Sequence, residues 1–158
     1  MGMSKNLFLV LSFLFTAPAF LSAQTAAKLD AVLETPAISC AQAAWFVLAA
    51  LNTVPADSSV QDAGMETAFR QVMDNHWLPQ KTSPGDPVTL KALSFLLMKA
   101  FDIKGGLMYA ILPGPRYAFR TLVSRSLIRG AADPDMTVSG ERFLHILGNV
   151  LSYAGAEL

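Results

Sequence analysis

Cysteine, histidine and net charge are all scarce in this sequence. One cysteine, Cys40, excludes an internal disulfide framework and a cysteine-built zinc site. His76 and His145 are the only histidines, and neither has a second metal ligand at helical spacing. Charged residues make up 15% of the chain, and 12 basic residues balance 12 acidic ones. A balance of this kind supplies no excess of positive charge for nucleic acid. Strand-like alternation never runs long enough to read as a sheet. What remains is a 158-residue chain that is 53% apolar. That length is one domain's worth, and that apolarity covers the entropy of folding, which excludes disorder.

Some of the apolar content lies outside the expected fold. Residues 1–23 have the layout of a secretory signal. Lys5 provides the positive n-region, and Leu7 to Phe15 is apolar except for Ser12. Leu21-Ser22-Ala23 before Gln24 fits a peptidase site, and Ala17-Pro18-Ala19 offers a second one four residues earlier. The stretch is broken by Pro18 and is short for a membrane-spanning helix. A chain starting at Gln24 would carry 11 basic and 12 acidic residues. The expectation is an exported protein of the periplasm or cell envelope, with 24–158 as a single domain.

An internal repeat organises that domain. Ala68-Phe69-Arg70 recurs as Ala118-Phe119-Arg120, an offset of 50. In the same register Trp77-Leu78 falls on Leu127-Ile128, Pro84 on Pro134, and Val88-Thr89 on Val138-Ser139. Ile38-Ser39 falls on Val88-Thr89 one step earlier. The reading is two full units, 64–103 and 114–153, and a partial one, 24–54. Each unit reads as helix, loop, helix, with apolar residues at i, i+3, i+4, i+7. Helices are expected over 39–52, 64–78, 89–102, 115–129 and 139–153, so the fold class is all-α. The inward positions are Phe46, Val47, Leu93, Leu96, Leu97, Phe119, Val123, Leu127, Phe143, Ile146 and Leu147. Ser39, Thr89 and Ser139 read as N-caps, and Gln42 completes a capping box with Ser39. Gly105-Gly106 and Pro113-Gly114-Pro115 punctuate the connection between the two full units.

No residue cluster assembles an enzyme. Ser124 and Ser139 lack a His–Asp partner at a familiar spacing. Asp133 and Asp135 resemble the start of a calcium loop, but the twelfth position is Leu144 where a bidentate Glu is needed. Those aspartates are expected to shape the loop, and Cys40 is expected in the core. No cofactor or metal is implied. The candidate binding residues are Arg70 and Arg120, at equivalent places beside an apolar stripe, with the capped ends at Ser39, Thr89 and Ser139. Helix N-termini with free amides suit an anionic or hydroxyl-rich group. The bland alternative pairs the arginines internally, with Glu66 or Glu141. Helical spacing sets Arg125 and Arg129 on the far side from Arg120.

The stretch from Tyr117 to Leu151 resembles an S-layer homology repeat. The likeness rests on Tyr-Ala-Phe-Arg-x-Leu-Val-x-x-x-Leu-Ile-x-Gly, then Asp133-Pro134, then Val138-Ser139-x-Glu141-x-Phe143-x-x-Ile146-Leu147. Residues 65–101 resemble a weaker copy, and 38–51 a terminal half copy. The resemblance implies three such units packed as a pseudo-threefold helical bundle that holds exported proteins to wall polysaccharide. The family's sugar-binding arginine follows the Ser or Thr, and Cys40, Leu90 or Gly140 stands there in this chain. The implied function is a non-enzymatic envelope-binding module, attached to wall glycan or an envelope protein. The alternative is a structural or adaptor subunit that binds protein only. Mass spectrometry of the native N-terminus is expected to find Gln24 first, and a native chain retaining Met1 in a soluble cytoplasmic fraction would refute export.

Overall fold

The computed structural model describes residues 30–53, 62–130 and 132–156. The secretion signal expected at 1–23 and the start of the partial unit expected from 24 lie outside the described residues. The described part is helical: α1 Cys40–Ala50, α2 Asp62–Asp74, α3 Leu90–Ala100, α4 Leu107–Ile111, α5 Pro115–Ser124 and α6 Gly140–Ala156. A further helical turn covers 30–33. Helix α1 packs on α2 and α3, α3 packs on α5, and α4 packs on α5. The only β features among the described residues are two isolated bridges, Ser39 to Pro87 and Thr89 to Thr137. No helix among the described residues is long and apolar enough to cross a membrane.

The centre of the molecule is a closed cycle of backbone hydrogen bonds. Ile38 N–H donates to Val138 O at 2.9 Å, Val138 N–H to Val88 O at 3.0 Å, and Val88 N–H to Ile38 O at 2.9 Å. All three residues are fully buried. A buried amide must find a partner, and here each finds the next one round. The chain leaves each of these positions into a helix. Ser39 and Gln42 form a reciprocal capping box, and Thr89 accepts from the Ala92 amide. Ser139 Oγ likewise accepts from the Arg142 amide at 3.3 Å.

Four helices end in the same way, and earlier than the apolar pattern predicts. Helix α2 stops at Asp74 where the stripe suggests 78, and α5 stops at Ser124 where it suggests 129. The cause is a left-handed residue just past each end: Asn52, His76, Asp102 and Ser126 have φ between 47° and 58°. The next amide then reaches back five residues. Trp77 N–H donates to Val72 O at 3.0 Å, and Leu127 N–H donates to Leu122 O at 2.9 Å. Thr53 to Leu48 and Ile103 to Met98 repeat the bond. This Schellman closure satisfies a terminal carbonyl and swings the next apolar residues inward. Leu78, Leu127 and Ile128 are buried for that reason, though none is helical.

The core takes in most of the predicted inward positions. Leu93, Leu96, Leu97, Val47 and Phe143 are fully buried, and Phe119, Leu127, Ile146 and Leu147 are buried. Phe46 is half-buried, edge-on to Trp45 at 4.9 Å and to Phe143 at 6.0 Å. Val123 is a correction: it is 36% exposed. Helix α5 buries Ala118, Phe119, Thr121 and Leu122, and at about 100° per residue Val123 falls past the edge of that face. Helix α4 is a second correction, because its five residues fall where the sequence reads as a plain connection.

Gly140 opens α6 at a point of very close approach. A Cβ there would meet the Val32 carbonyl oxygen at 1.6 Å, and the Gly140 amide donates to Thr35 O at 2.9 Å. Gly148, in the same helix, has open space around its missing Cβ. Gly140→Ala is therefore expected to destabilise by roughly 1–3 kcal/mol through overpacking, despite the better helix propensity of Ala. Gly148→Ala is expected to stabilise by about 0.5–1 kcal/mol. Leu97→Ala, which opens a cavity, is expected to cost about 2–5 kcal/mol. Chemical denaturation of the three variants checks the order, and equal midpoints would refute the placement of α6 against the 30–35 turn.

Candidate functional site: a cationic hollow on α5

The five candidate binding residues, Arg70, Arg120, Ser39, Thr89 and Ser139, do not converge. Arg70 on α2 is exposed, with Nε 3.6 Å from Glu66 Oε1 one turn earlier. Arg120 on α5 is also exposed, but it stands at the shared edge of two surface hollows. Ser39, Thr89 and Ser139 are half-buried caps whose oxygens accept from their own helices. Arg120's hollows contain none of the three caps. Ser139 lines a separate depression of about 440 Å³ together with Arg129, Glu141, Arg142 and His145.

The helix N-termini at Ser39 and Thr89 offer no free amides, which corrects the expectation of an anion site there. The Cys40 amide donates to Asp86 O at 2.8 Å and the Ala41 amide to Pro84 O at 3.0 Å. The Leu90 amide donates to Met136 O at 2.9 Å and the Lys91 amide to Pro134 O at 3.0 Å. The groups left unpaired at a helix start are thus taken by carbonyls of the loops that lead to α3 and α6. The position after each cap is closed as well: Cys40, Leu90 and Gly140 are all buried.

Arg70 and Arg120 differ in the residue that stands one helical turn before each. Four residues before Arg70 stands Glu66, and four before Arg120 stands Arg116. A self-neutralised pair on α2 corresponds to a doubly positive turn on α5. Arg116, Tyr117, Phe119, Arg120 and Pro134 line a hollow of about 480 Å³. Neither arginine joins an ion pair among the described residues. A second hollow of about 470 Å³ lies between α4 and α5 and is lined by Tyr109, Tyr117, Arg120, Ser124 and Arg125, among others.

Arg125 was expected on the far side from Arg120, yet both border this second hollow. Helical spacing fails because α5 ends at Ser124, so Arg125 is its C-cap. Its guanidinium donates to Tyr153 Oη at 2.7 Å and to Lys104 O at 2.6 Å, and lies 5.1 Å over the Tyr153 ring. That contact ties the end of α5 to α6 and to the segment before α4. Nothing local to Arg125 in the sequence points to Tyr153.

The remaining chemistry is structural. Asp133 Oδ1 accepts from the Asp135 amide at 2.8 Å. The Asp135 carboxylate pairs with Lys91, whose hydrogen bond holds it below the usual carboxylate range. Among the described residues, no three His, Cys, Asp or Glu side chains converge as a metal site would need. Compared with known proteins, the chain matches no family model, no curated protein and no solved structure.

Cys40 is buried at 2% exposure, and its thiol is pushed up to about 11, first by burial and then by the Asp86 carboxylate. A neutral, enclosed thiol is a poor nucleophile. The native protein is expected to ignore a disulfide reagent at pH 8, and the denatured chain to react with one equivalent. Because the folded thiol ionises later than an ordinary one near 9.0, its share of stability is full below pH 9 and falls as pH rises toward 11. Rapid native labelling would refute the placement of Cys40.

Proposed function

We propose that this chain is an exported, non-enzymatic module that attaches to the cell envelope through an acidic wall glycan. On this reading the domain is a divergent S-layer homology bundle, with units in a 50-residue register about a pseudo-threefold axis. The observation that carries it is the closed cycle at Ile38, Val88 and Val138, whose members stand 50 residues apart and bond head to tail. A threefold rotation would carry each bond onto the next. The matching caps at 39, 89 and 139 and the matching left-handed residues at 52 and 102, and at 76 and 126, support the same register.

The ligand contact on this reading is the hollow around Arg116, Tyr117 and Arg120. Two guanidiniums supply charge-assisted, bidentate donors for a carboxylate or phosphate group. The Tyr117 and Phe119 rings supply an apolar wall for the body of a sugar. Arg70, paired with Glu66 on the surface, is left out of the contact. The adaptor reading, in which the partner is a protein, draws on a different observation. The position that carries the sugar-binding arginine in the resembled family is buried at Cys40, Leu90 and Gly140.

Sedimentation with purified sacculi tests the proposal. Arg116→Gln with Arg120→Gln is expected to weaken association by about tenfold or more, the scale of a lost charged hydrogen bond, with the melting temperature unchanged. Arg70→Gln is expected to bind as the parent does. Undiminished sedimentation of the folded double variant would remove the hollow from the site. Failure of the parent to sediment, with co-purification of one envelope protein, would favour the adaptor.

A further inference from the structure

Helix α4 is built as a projection. Leu107, Met108, Ile111 and Leu112 are 74%, 61%, 69% and 63% exposed, and no residue of the helix is fully buried. Isolated exposed leucines are ordinary, but four large apolar side chains within six residues make a patch. The projection is held in shape from beneath. Tyr109 folds over Gly105, where a Cβ would meet its ring at 2.3 Å. The Ala110 amide donates to Gly106 O at 3.0 Å and the Leu112 amide to Met108 O at 2.9 Å, so these amides are already satisfied. Pro113-Gly114-Pro115 then turns the chain into α5.

The segment that carries this projection is basic, although the Asp102 carboxylate lies near Tyr109 and the Asp135 carboxylate near Arg116. Residues 103–132 hold Lys104, Arg116, Arg120, Arg125 and Arg129 and contain no Asp or Glu. A chain that is neutral overall thus concentrates five of its 12 basic residues, and none of its 12 acidic ones, in the segment that carries α4. Lys104 is offset by Asp102 at 3.0 Å, and Arg125 is held by Tyr153 and by the Lys104 carbonyl. Arg116 and Arg120 stay exposed on the helix against which α4 packs.

We propose that the apolar projection at 107–112, with the arginines of α5 beside it, docks the protein onto the surface of an anionic lipid bilayer. Apolar side chains enter the boundary between headgroups and acyl chains, and nearby cations meet the anionic headgroups. Long arginine side chains can follow the interface while the apolar tip goes deeper. Four side chains without a hydrogen-bonding group fall far short of the 20–30 residues a side of a stable protein interface, whereas insertion needs only apolar length and a charge match. This inference goes beyond the glycan reading and does not depend on it, since vesicles contain no wall polymer.

The test uses the full chain carrying Met108→Cys labelled with an environment-sensitive fluorophore; buried Cys40 stays unlabelled. Vesicles of phosphatidylcholine alone are compared with vesicles containing about one-third phosphatidylglycerol. The label is expected to shift to the blue and brighten on the anionic vesicles only. Leu107→Ser with Ile111→Ser, both at exposed sites, is expected to weaken that response by about tenfold or more while circular dichroism is unchanged. An unshifted label on vesicle-bound protein would assign the binding to another segment, such as residues 7–21, and overturn the proposal. An equal response on neutral vesicles would overturn it too, as would an undiminished response in the serine variant. Loss of an envelope protein partner in that variant, with no vesicle response in the parent, would assign the projection to protein recognition instead.

Discussion

Three buried amides decide how this protein is assembled. Ile38, Val88 and Val138 are fully buried, and the amide of each is satisfied by a carbonyl from another of the three. An unpaired buried amide costs about 1–3 kcal/mol, so the cycle forms as a unit or leaves a penalty in the centre of the core. The adjoining residues inherit this geometry. Directly after the cycle come the caps at Ser39, Thr89 and Ser139, and the loops before α3 and α6 come close enough for their carbonyls to reach the first amides of α1 and α3.

That economy of amides also shapes the surface. Helix starts are ordinarily inviting to anions, but at α1 and α3 these are spent on the protein's own loops. Positive potential has to come from side chains instead, and it gathers on α5. Helix α2 carries Glu66 four residues before Arg70, whereas α5 carries Arg116 four residues before Arg120. One helix presents a neutral surface pair. The other presents two exposed guanidiniums, neither in an ion pair among the described residues, and Arg120 also borders the hollow beside the apolar projection.

Much of the fold was legible in the sequence because helix periodicity reports burial directly. Leu93, Leu96, Leu97, Phe143 and Ile146 are placed by their spacing, and the hydroxyl caps by the residues that precede each stripe. Helix ends were hidden. His76 and Ser126 adopt left-handed backbone without being glycine, so the apolar residues after them read as further helix when they are returning chain. Helix α4 was hidden because five residues make too short a period to see. Of the candidate site, Arg120 was visible as one of two like residues, but its distinction from Arg70 rested on a neighbour four residues away. Arg125 was misplaced because its position depends on where α5 stops and on Tyr153, 28 residues further on.

The central cycle also sets an order in time. Two of its three bonds use Val138, and the longest joins residues a hundred positions apart. A growing chain that has reached only α5 can make the single bond from Val88 to Ile38 and leaves the Ile38 amide waiting. Closing so long a loop carries an entropic cost before any contact rewards it, which slows folding. The native centre is therefore completed only when the C-terminal segment arrives, and every earlier length of this polypeptide holds an open, incompletely bonded core.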